Sequence, residues 1–358
     1  MTERWRVLDT GLRPAAQNIA LNRAVLEARQ AEEIPSTLRF LRFAPSALLG
    51  YHQSAEQELN LQYCNAHQIT VQRRITGGGA IYFDEGQLGW ELYLHRRDLA
   101  TADMRAISRR LCHAAATAIS ALGVDARFRP RNDIEVDGRK ISGTGGAFDG
   151  DALLFQGTLL LEFDVEKMLR VLRISAEKLS DKAIASARER VTSLSELLGR
   201  KPDSGLVKRY LTEAFESEFG VEFSEGELTL SEHKRFETAL REIDHPDWIN
   251  LVTRPVAALP ILQAEQKFAG GLLRVSVTFD VPAQMLRHLW FTGDIFVSPR
   301  RLIADLEAAL KDTPLDRLES RVHGFFHGRQ HDTLALTPDD FIAVVRLALK
   351  QPVTAQNP

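Results

Sequence analysis

Cysteine is scarce in this chain. Only Cys64 and Cys112 occur among 358 residues, which excludes a disulfide framework and a metal site built from cysteines and suits a reducing compartment. Long apolar runs are missing as well. No stretch approaches the roughly 20 residues that a membrane-spanning helix needs, and the opening MTERWRVLDTG has no apolar leader. A basic excess is also missing: 45 Lys and Arg stand against 48 Asp and Glu, for a net charge of −3, so no global field favours nucleic acid. The usual phosphate-loop signatures are absent too, since no GK[ST] closes a glycine-rich loop and no GxGxxG opens a helix. There is no internal repeat and no low-complexity tract. These absences leave a cytoplasmic protein with neither membrane nor nucleic acid as a partner.

What is present suffices for a real core. Hydrophobic residues make up 44% and charged residues 26% of the chain, and the length predicts about two domains. Trp5, Val7 and Leu8 predict a first strand stopped by Gly11, and Asn18 can cap the helix that follows. Residues 38–43 and 47–51 read as an antiparallel pair, and Glu56–His67 reads as a helix. Residues 88–94 form another strand. Met104, Ile107, Leu111, Ala115 and Ile119 recur at helical spacing, with Thr101 as the cap and Gly123 as the stop. After Leu161 the pattern turns helical (165–172, 184–198, 204–219 and 231–243). Arg254-Pro255 and Leu259-Pro260 bracket a linker. A fresh alternating strand follows at Leu273–Phe279, then helices over 299–310, 315–323 and 338–349, and a disordered tail from Gln351.

Two stretches carry chemistry. In the first, Arg73 and Arg74 precede Gly77, Gly78 and Gly79, with Ala80, Ile81 and Tyr82 beyond. Arginine suits bidentate contact with phosphate or carboxylate, and three glycines clear a surface and expose backbone donors. Taken alone, this is equally a glycine-rich hairpin with solvated arginines. The second stretch, Asn132–Thr158, reads as a strand, an Asp137-Gly138 turn, Lys140, a glycine-rich bend (Gly143, Gly145, Gly146) and a second strand holding Gln156-Gly157-Thr158. A lysine after such a turn is most often solvated. Pointed into a pocket, it would hold an anion or a carbonyl beside backbone donors. Cys112 and His113 are adjacent, but helix neighbours point apart, which argues against a thiol nucleophile there. Cys64 falls among apolar positions and reads as core.

Together, RRITGGGAIYFD (73–84), NDIEVDGRKISGTGG (132–146), QGTLLL (156–161), SARERVTSLSELLG (186–199) and Asp247-Trp248 resemble the lipoate–protein ligase A family, of the biotin/lipoate ligase and octanoyltransferase superfamily. Gly293-Asp294-Ile295-Phe296 is similar to a segment of that family's accessory domain. The resemblance implies an α+β fold with mixed, mostly antiparallel sheets, like class II aminoacyl-tRNA synthetases and biotin ligases. It implies a catalytic domain over residues 1–258 and a small α+β accessory lid over 262–351.

The resemblance further implies an ATP-dependent ligase that converts lipoate to lipoyl-AMP, with Mg²⁺ accompanying ATP, and passes the acyl group to a lysine of an acceptor. That acceptor would be a dehydrogenase lipoyl domain, a glycine-cleavage H-like protein or a dedicated lipoate-binding protein of sulfur metabolism. Lys140 would be the catalytic cation. ATP and lipoate would meet Arg73, Arg74, Gly77–Gly79, Ala80, Ile81, Tyr82, Asn132, Asp133, Lys140, Gly143, Thr144, Gly157 and Thr158. The metal would have no dedicated protein cluster and would sit with ATP near Asp133. Trp90 or Phe155 would line an acyl tunnel. Two positions depart from the family: Phe83 and Gln156 stand where it often has histidine. An octanoyltransferase working through a cysteine thioester is the main rival, but no cysteine follows Lys140. A biotin ligase, or a non-catalytic binder on the same fold, are the other readings.

Overall fold

The computed structural model describes residues 3–130, 132–173, 181–252, 259–329 and 331–351. The Arg254-Pro255 end of the expected linker, the 258 boundary and the tail beyond Gln351 lie outside them. Two compact units emerge: Met1–Leu48, Glu58–Ile75 and Ile81–Ile249 form one, and Leu49–Gln57, Thr76–Ala80 and Asn250–Pro358 the other.

Among the described residues, the first unit is built on eleven strands: β1 (Arg4–Arg13), β2 (Thr37–Phe43), β3 (Ser46–Leu49), β4 (Thr70–Arg73), β5 (Ile81–Phe83), β6 (Gln87–His95), β7 (Ala126–Arg129), β8 (Asp133–Val136), β9 (Arg139–Asp149), β10 (Ala152–Leu160) and β11 (Glu222–Glu225). Eight of them form one sheet in the order β11-β1-β2-β6-β10-β9-β8-β7, and the short β4-β3-β5 make a second. β1 runs parallel to β11 and β2, while the pairings from β2 through β7 are antiparallel. The fold is thus α+β with mixed, mostly antiparallel sheets.

One face of the large sheet is covered by the helices Met104–Ser120 and Ser204–Phe219. There Trp90 lies 6.0 Å from Phe155 and 5.3 Å from Phe215, ring centre to ring centre, and all three are fully buried. The other face meets the helix Ala15–Gln30 across a polar layer. Arg39 on β2 and Glu91 on β6, register partners, pair at 3.0 Å with side chains 0% and 3% exposed. Asn18, Asn22, Tyr93 and Gln156 complete the hydrogen bonding around them. A buried pair is tolerated only when its remaining donors and acceptors are met in this way.

Several local expectations change. Gly11 does not stop the first strand: β1 continues to Arg13 across a register shift between Asp9 and Leu12, and the left-handed Gly11 (φ +65°) lies within that irregularity. Asn18 is not a cap. The helix starts at Ala15 after Pro14, and the Asn18 side chain instead donates to the Arg42 carbonyl and accepts from Arg39. The 56–67 helix is two, Ala55–Glu58 and Leu61–Ala66, the second capped by the Asn60 side chain. Asp103, not Thr101, caps the helix Met104–Ser120, accepting from the Arg105 N–H. No bend follows Lys140: Gly143, Gly145 and Gly146 lie inside one eleven-residue strand, β9, paired along both edges.

The second unit holds β12 (Ile261–Phe268), β13 (Gly271–Asp280), β14 (Met285–Asp294) and β15 (Thr313–Pro314) in sequential antiparallel order. The helices Leu302–Leu310, Leu318–Phe326 and Pro338–Leu349 bury Leu306, Val322, Phe341 and Val345 in one core with Val275 and Phe291. The two short upstream segments are stitched on by main-chain bonds: Gly293 N–H donates to the His52 carbonyl and Gly78 N–H to the Ile295 carbonyl, each at 3.0 Å. A Cβ on Gly77 would lie 2.2 Å from the Ile295 carbonyl oxygen. The close approach that this glycine permits is therefore to the chain's own residue 295.

Candidate functional site

Asp137 and Gly138 turn β8 into β9 with positive φ at both residues (50° and 76°), as a tight hairpin of the right twist requires. Pairing then slips by one residue. Ile134 opposes Ser142, but Glu135 opposes Lys140, so Ile141 is left without a partner. This bulge decides where the lysine points. In a regular strand, residues 140 and 143 face opposite ways. With one extra residue between them, Lys140 shares a face with Gly143 and with Asp133, which opposes Gly143.

The side chains agree with the register. Lys140 Nζ lies 2.6 Å from Asp133 Oδ1, and the Cβ that Gly143 lacks would sit 2.8 Å from that Nζ. Glycine leaves the ammonium its seat. The other Asp133 oxygen takes the Arg129 guanidinium at 2.8 Å, and Arg129 also reaches Glu135 at 3.2 Å. Lys140 and Arg129 side chains are each 39% exposed and Asp133 20%, so the cluster opens to solvent.

The lysine's backbone is fixed as well. Its N–H donates to the Arg190 carbonyl at 2.8 Å, and its carbonyl accepts from Thr192 N–H at 2.9 Å. This one-residue parallel bridge with Val191 forms beyond Ser142, the last β9 residue that pairs with β10. Ser193 then caps the helix Leu194–Leu198, and Gly199, at φ +65°, ends it. The 186–199 segment thus includes the residues that hold the lysine's strand.

Thr158 shares the lysine's face, because it opposes Gly143 across β10. Asn132 accepts both the backbone N–H (2.8 Å) and the hydroxyl (2.9 Å) of Thr144 at its carbonyl, and its amide donates to the Thr144 carbonyl. It closes the β8 end rather than projecting with Lys140. Thr144 and Gly157, register partners, look to the opposite face. There the Thr144 hydroxyl is 3.3 Å from Cys112 Sγ, and a Cβ on Gly157 would fall 2.0 Å from the Trp90 indole.

The arginines divide. Arg73 is fully buried and donates to the Trp248 carbonyl at 3.0 Å and the Ile249 carbonyl at 2.6 Å, while Trp248 Nε1 donates back to the Arg73 carbonyl. Arg74, half-buried, donates to the Leu48 carbonyl. Ile81 and Tyr82 lie on β5, where Tyr82 is buried and burial pushes its phenol up. Gly77–Gly79 and Ala80 belong to the second unit, where Gly78 has φ +94° and Gly79 packs near the Asp294 carboxylate. Arg129 and Glu135 went unnoticed in the sequence. The available signal was the alternation of arginine and carboxylate along 127–135, with Arg127 and Arg129 on one side of Pro130 and Asp133 and Glu135 on the other.

Among known proteins, the chain matches the family described as lipoyl protein ligase A/B catalytic domain over residues 14–216. The chain belongs to this family. Lipoate–protein ligase 1 of Staphylococcus aureus is 30% identical over 82% of this chain and 85% of its own length. The octanoyltransferase LipM of Moorella thermoacetica is 27% identical over 69% of this chain and 98% of its own. Of solved structures, the bipartite lipoate protein ligase of Thermoplasma acidophilum, described with its E2 lipoyl domain, has a TM-score of 0.63 at 27% identity. It covers 71% of this chain and 100% of its own. A lipoate–protein ligase A bound with ATP reaches 0.61 at 25% identity, over 70% and 98% of the two chains. The relatives of the chain thus include both ligases and octanoyltransferases.

Proposed function

We propose that the chain is the ligase: it joins lipoate and ATP to lipoyl-AMP and passes the lipoyl group to an acceptor lysine. One observation carries this choice. The exposed cation on the bulged strand is a lysine, and the only thiols are packed away. Cys64 and Cys112 are 1% and 0% exposed, and burial pushes the Cys112 thiol up to about 11. A thioester mechanism needs a thiolate that an acyl donor can reach. Adenylation needs instead a fixed positive charge where the carboxylate meets the α-phosphate.

Lys140 is the group proposed for that place, with the Gly143 backbone leaving room beside it and Thr158 on the same face. Asp133 orients the ammonium. Arg73 serves by holding the Trp248 turn, and Arg74 by receiving ATP. Among the described residues no cluster of three or more His, Cys, Asp or Glu could hold a metal. Mg²⁺ would enter with ATP, and the chemistry it would supply is neutralisation of charge on the leaving pyrophosphate. No helix among the described residues is long and apolar enough to cross a membrane, in keeping with work in the cytoplasm. A lipoyl domain is the proposed acceptor, in line with the Thermoplasma ligase described with its E2 lipoyl domain. Residues 262–351 are the proposed accessory domain, needed to make the adenylate.

ATP–pyrophosphate exchange in the presence of lipoate tests the reading. Lipoate-dependent exchange is the expected result. Its absence, with octanoyl transfer from an acyl carrier in its place, would return the chain to the octanoyltransferase branch that the Moorella relative represents.

A further inference from the structure

Lys140 is spoken for in this structure, because its ammonium rests on Asp133 at 2.6 Å. To reach an arriving carboxylate and phosphate it must leave that partner, and the ease of leaving depends on what remains to satisfy Asp133. Four charges sit together: Asp133 and Glu135, two residues apart on β8 and on one face, with Lys140 opposite Glu135 and Arg129 opposite Asp133. Each Asp133 oxygen has its own cation, Lys140 on Oδ1 and Arg129 on Oδ2. Arg129 forks further to Glu135 at 3.2 Å.

We propose that Arg129 is a positioning residue for the acyl-activation step: it shares the charge of Asp133 and Glu135 so that Lys140 is aimed by Asp133 without being trapped by it. The inference rests on the reading of Lys140 as the activating cation. With Arg129 present the cluster is formally neutral, and the lysine can move to a ligand while Asp133 keeps a partner. Without Arg129, two carboxylates face a single ammonium, and the lysine gives up more on departure. Arginine fits the task because its planar fork serves two carboxylates at once, which a point-charge ammonium cannot do equally well.

The test compares Arg129→Gln, Arg129→Lys, Asp133→Asn, the double variant Arg129→Gln/Asp133→Asn and Lys140→Ala. Two readouts are taken: single-turnover lipoyl-AMP formation, and the rate at which an amine-directed acylating reagent labels Lys140 in the ligand-free protein. Arg129→Gln is expected to lower the activation rate about tenfold, with a smaller change in KM for lipoate, and to slow labelling of Lys140. Arg129→Lys is expected to recover part of both. If Arg129 acts through Asp133, the double variant loses no more than Asp133→Asn alone, because coupled residues are not additive.

Normal activation and labelling in a folded Arg129→Gln protein would overturn the inference, as would full additivity in the double variant. Failure of the underlying reading looks different: Lys140→Ala would then activate lipoate normally, which refutes the role of the lysine and the inference with it. The labelling readout needs no substrate, so it also reports if the wild type proves to be a transferase.

Discussion

Gly143→Ala is the sharpest perturbation of the proposed site. Gly143 does not have a left-handed backbone, so alanine fits the strand without strain. The added methyl would lie 2.8 Å from Lys140 Nζ and 2.9 Å from Cε, where ordinary contact begins at 3.4 Å. The ammonium must retreat by about 0.6 Å, the difference between those limits. The Asp133 carboxylate is 3.8 Å from the new methyl and is not displaced by it. The cost to stability is small. The Lys140–Asp133 pair is 39% and 20% exposed, and such pairs contribute about 0–1 kcal/mol. Exchanging glycine for alanine within a strand returns roughly 0.5–1 kcal/mol. Chemistry is less forgiving: a misplacement of about 1 Å costs on the order of a hundredfold in rate. Gly143→Ala is expected to lower kcat for lipoyl-AMP formation by about 10- to 100-fold while its melting temperature stays near that of the wild type. Unchanged kcat in the folded variant would refute the claim that this glycine seats a working ammonium.

Other outcomes follow from the same geometry. Lys140→Ala should lose about a hundredfold or more of lipoate-dependent pyrophosphate exchange, the scale of removing one preorganised charge at a developing anion, with its circular dichroism unchanged. Gly157→Ala drives a methyl to within 2.0 Å of the buried Trp90 indole and should destabilise the first unit by about 1–3 kcal/mol in denaturant unfolding, as overpacking does. Replacing Cys64 and Cys112 by alanine should leave acyl transfer intact, and an acyl adduct trapped on Cys112 in the wild type would contradict the adenylate route. Glu307 is raised by burial from 4.5 to about 7 although it accepts the Phe291 N–H, so the folded state holds a proton that the unfolded chain has released above pH 4.5. Its stabilising share is complete below that pH and is lost as pH rises through about 7. Glu307→Gln should therefore raise the unfolding free energy of the second unit at pH 8, by at most about 3 kcal/mol, and leave it nearly unchanged at pH 4.

The sequence was most legible where one residue type has one physical use. Asp137-Gly138 reads as a turn because few other pairs accept two positive φ values, and Ile134 and Val136 read as buried because they alternate with charge. It was less legible where glycine serves different purposes in identical script. Gly143 seats an ammonium, Gly157 a tryptophan and Gly77 the carbonyl of residue 295. The letter G separates none of these, since each depends on a neighbour far away in the chain. Arg73 was equally opaque. Beside a glycine cluster it suggests a phosphate ligand, yet its guanidinium lies buried against the Trp248 turn, a partner some 175 residues on.

The bulge at Ile141 is the deepest of these silences and the one on which the site depends. Alternation along Arg-Lys-Ile-Ser-Gly places Lys140 with Ser142 on one face and Ile141 with Gly143 on the other. On that pattern the lysine would point toward Cys112 and the helix Met104–Ser120, into the apolar side of the sheet. A free ammonium there would face the full cost of desolvation. The slip in register resolves the conflict: Ile141 and Ser142 are both fully buried, and Lys140 is returned to Asp133. The arrangement is held by the hairpin turn on one side and by the bonds to Arg190 and Thr192 on the other. Inserting one residue between Ile134 and Glu135 would give Ile141 a partner, restore regular pairing and turn the lysine inward, so activity and stability should fall together. Gly143→Ala, by contrast, should cost activity alone. That difference separates a lysine placed by its strand from one that merely extends into solvent nearby.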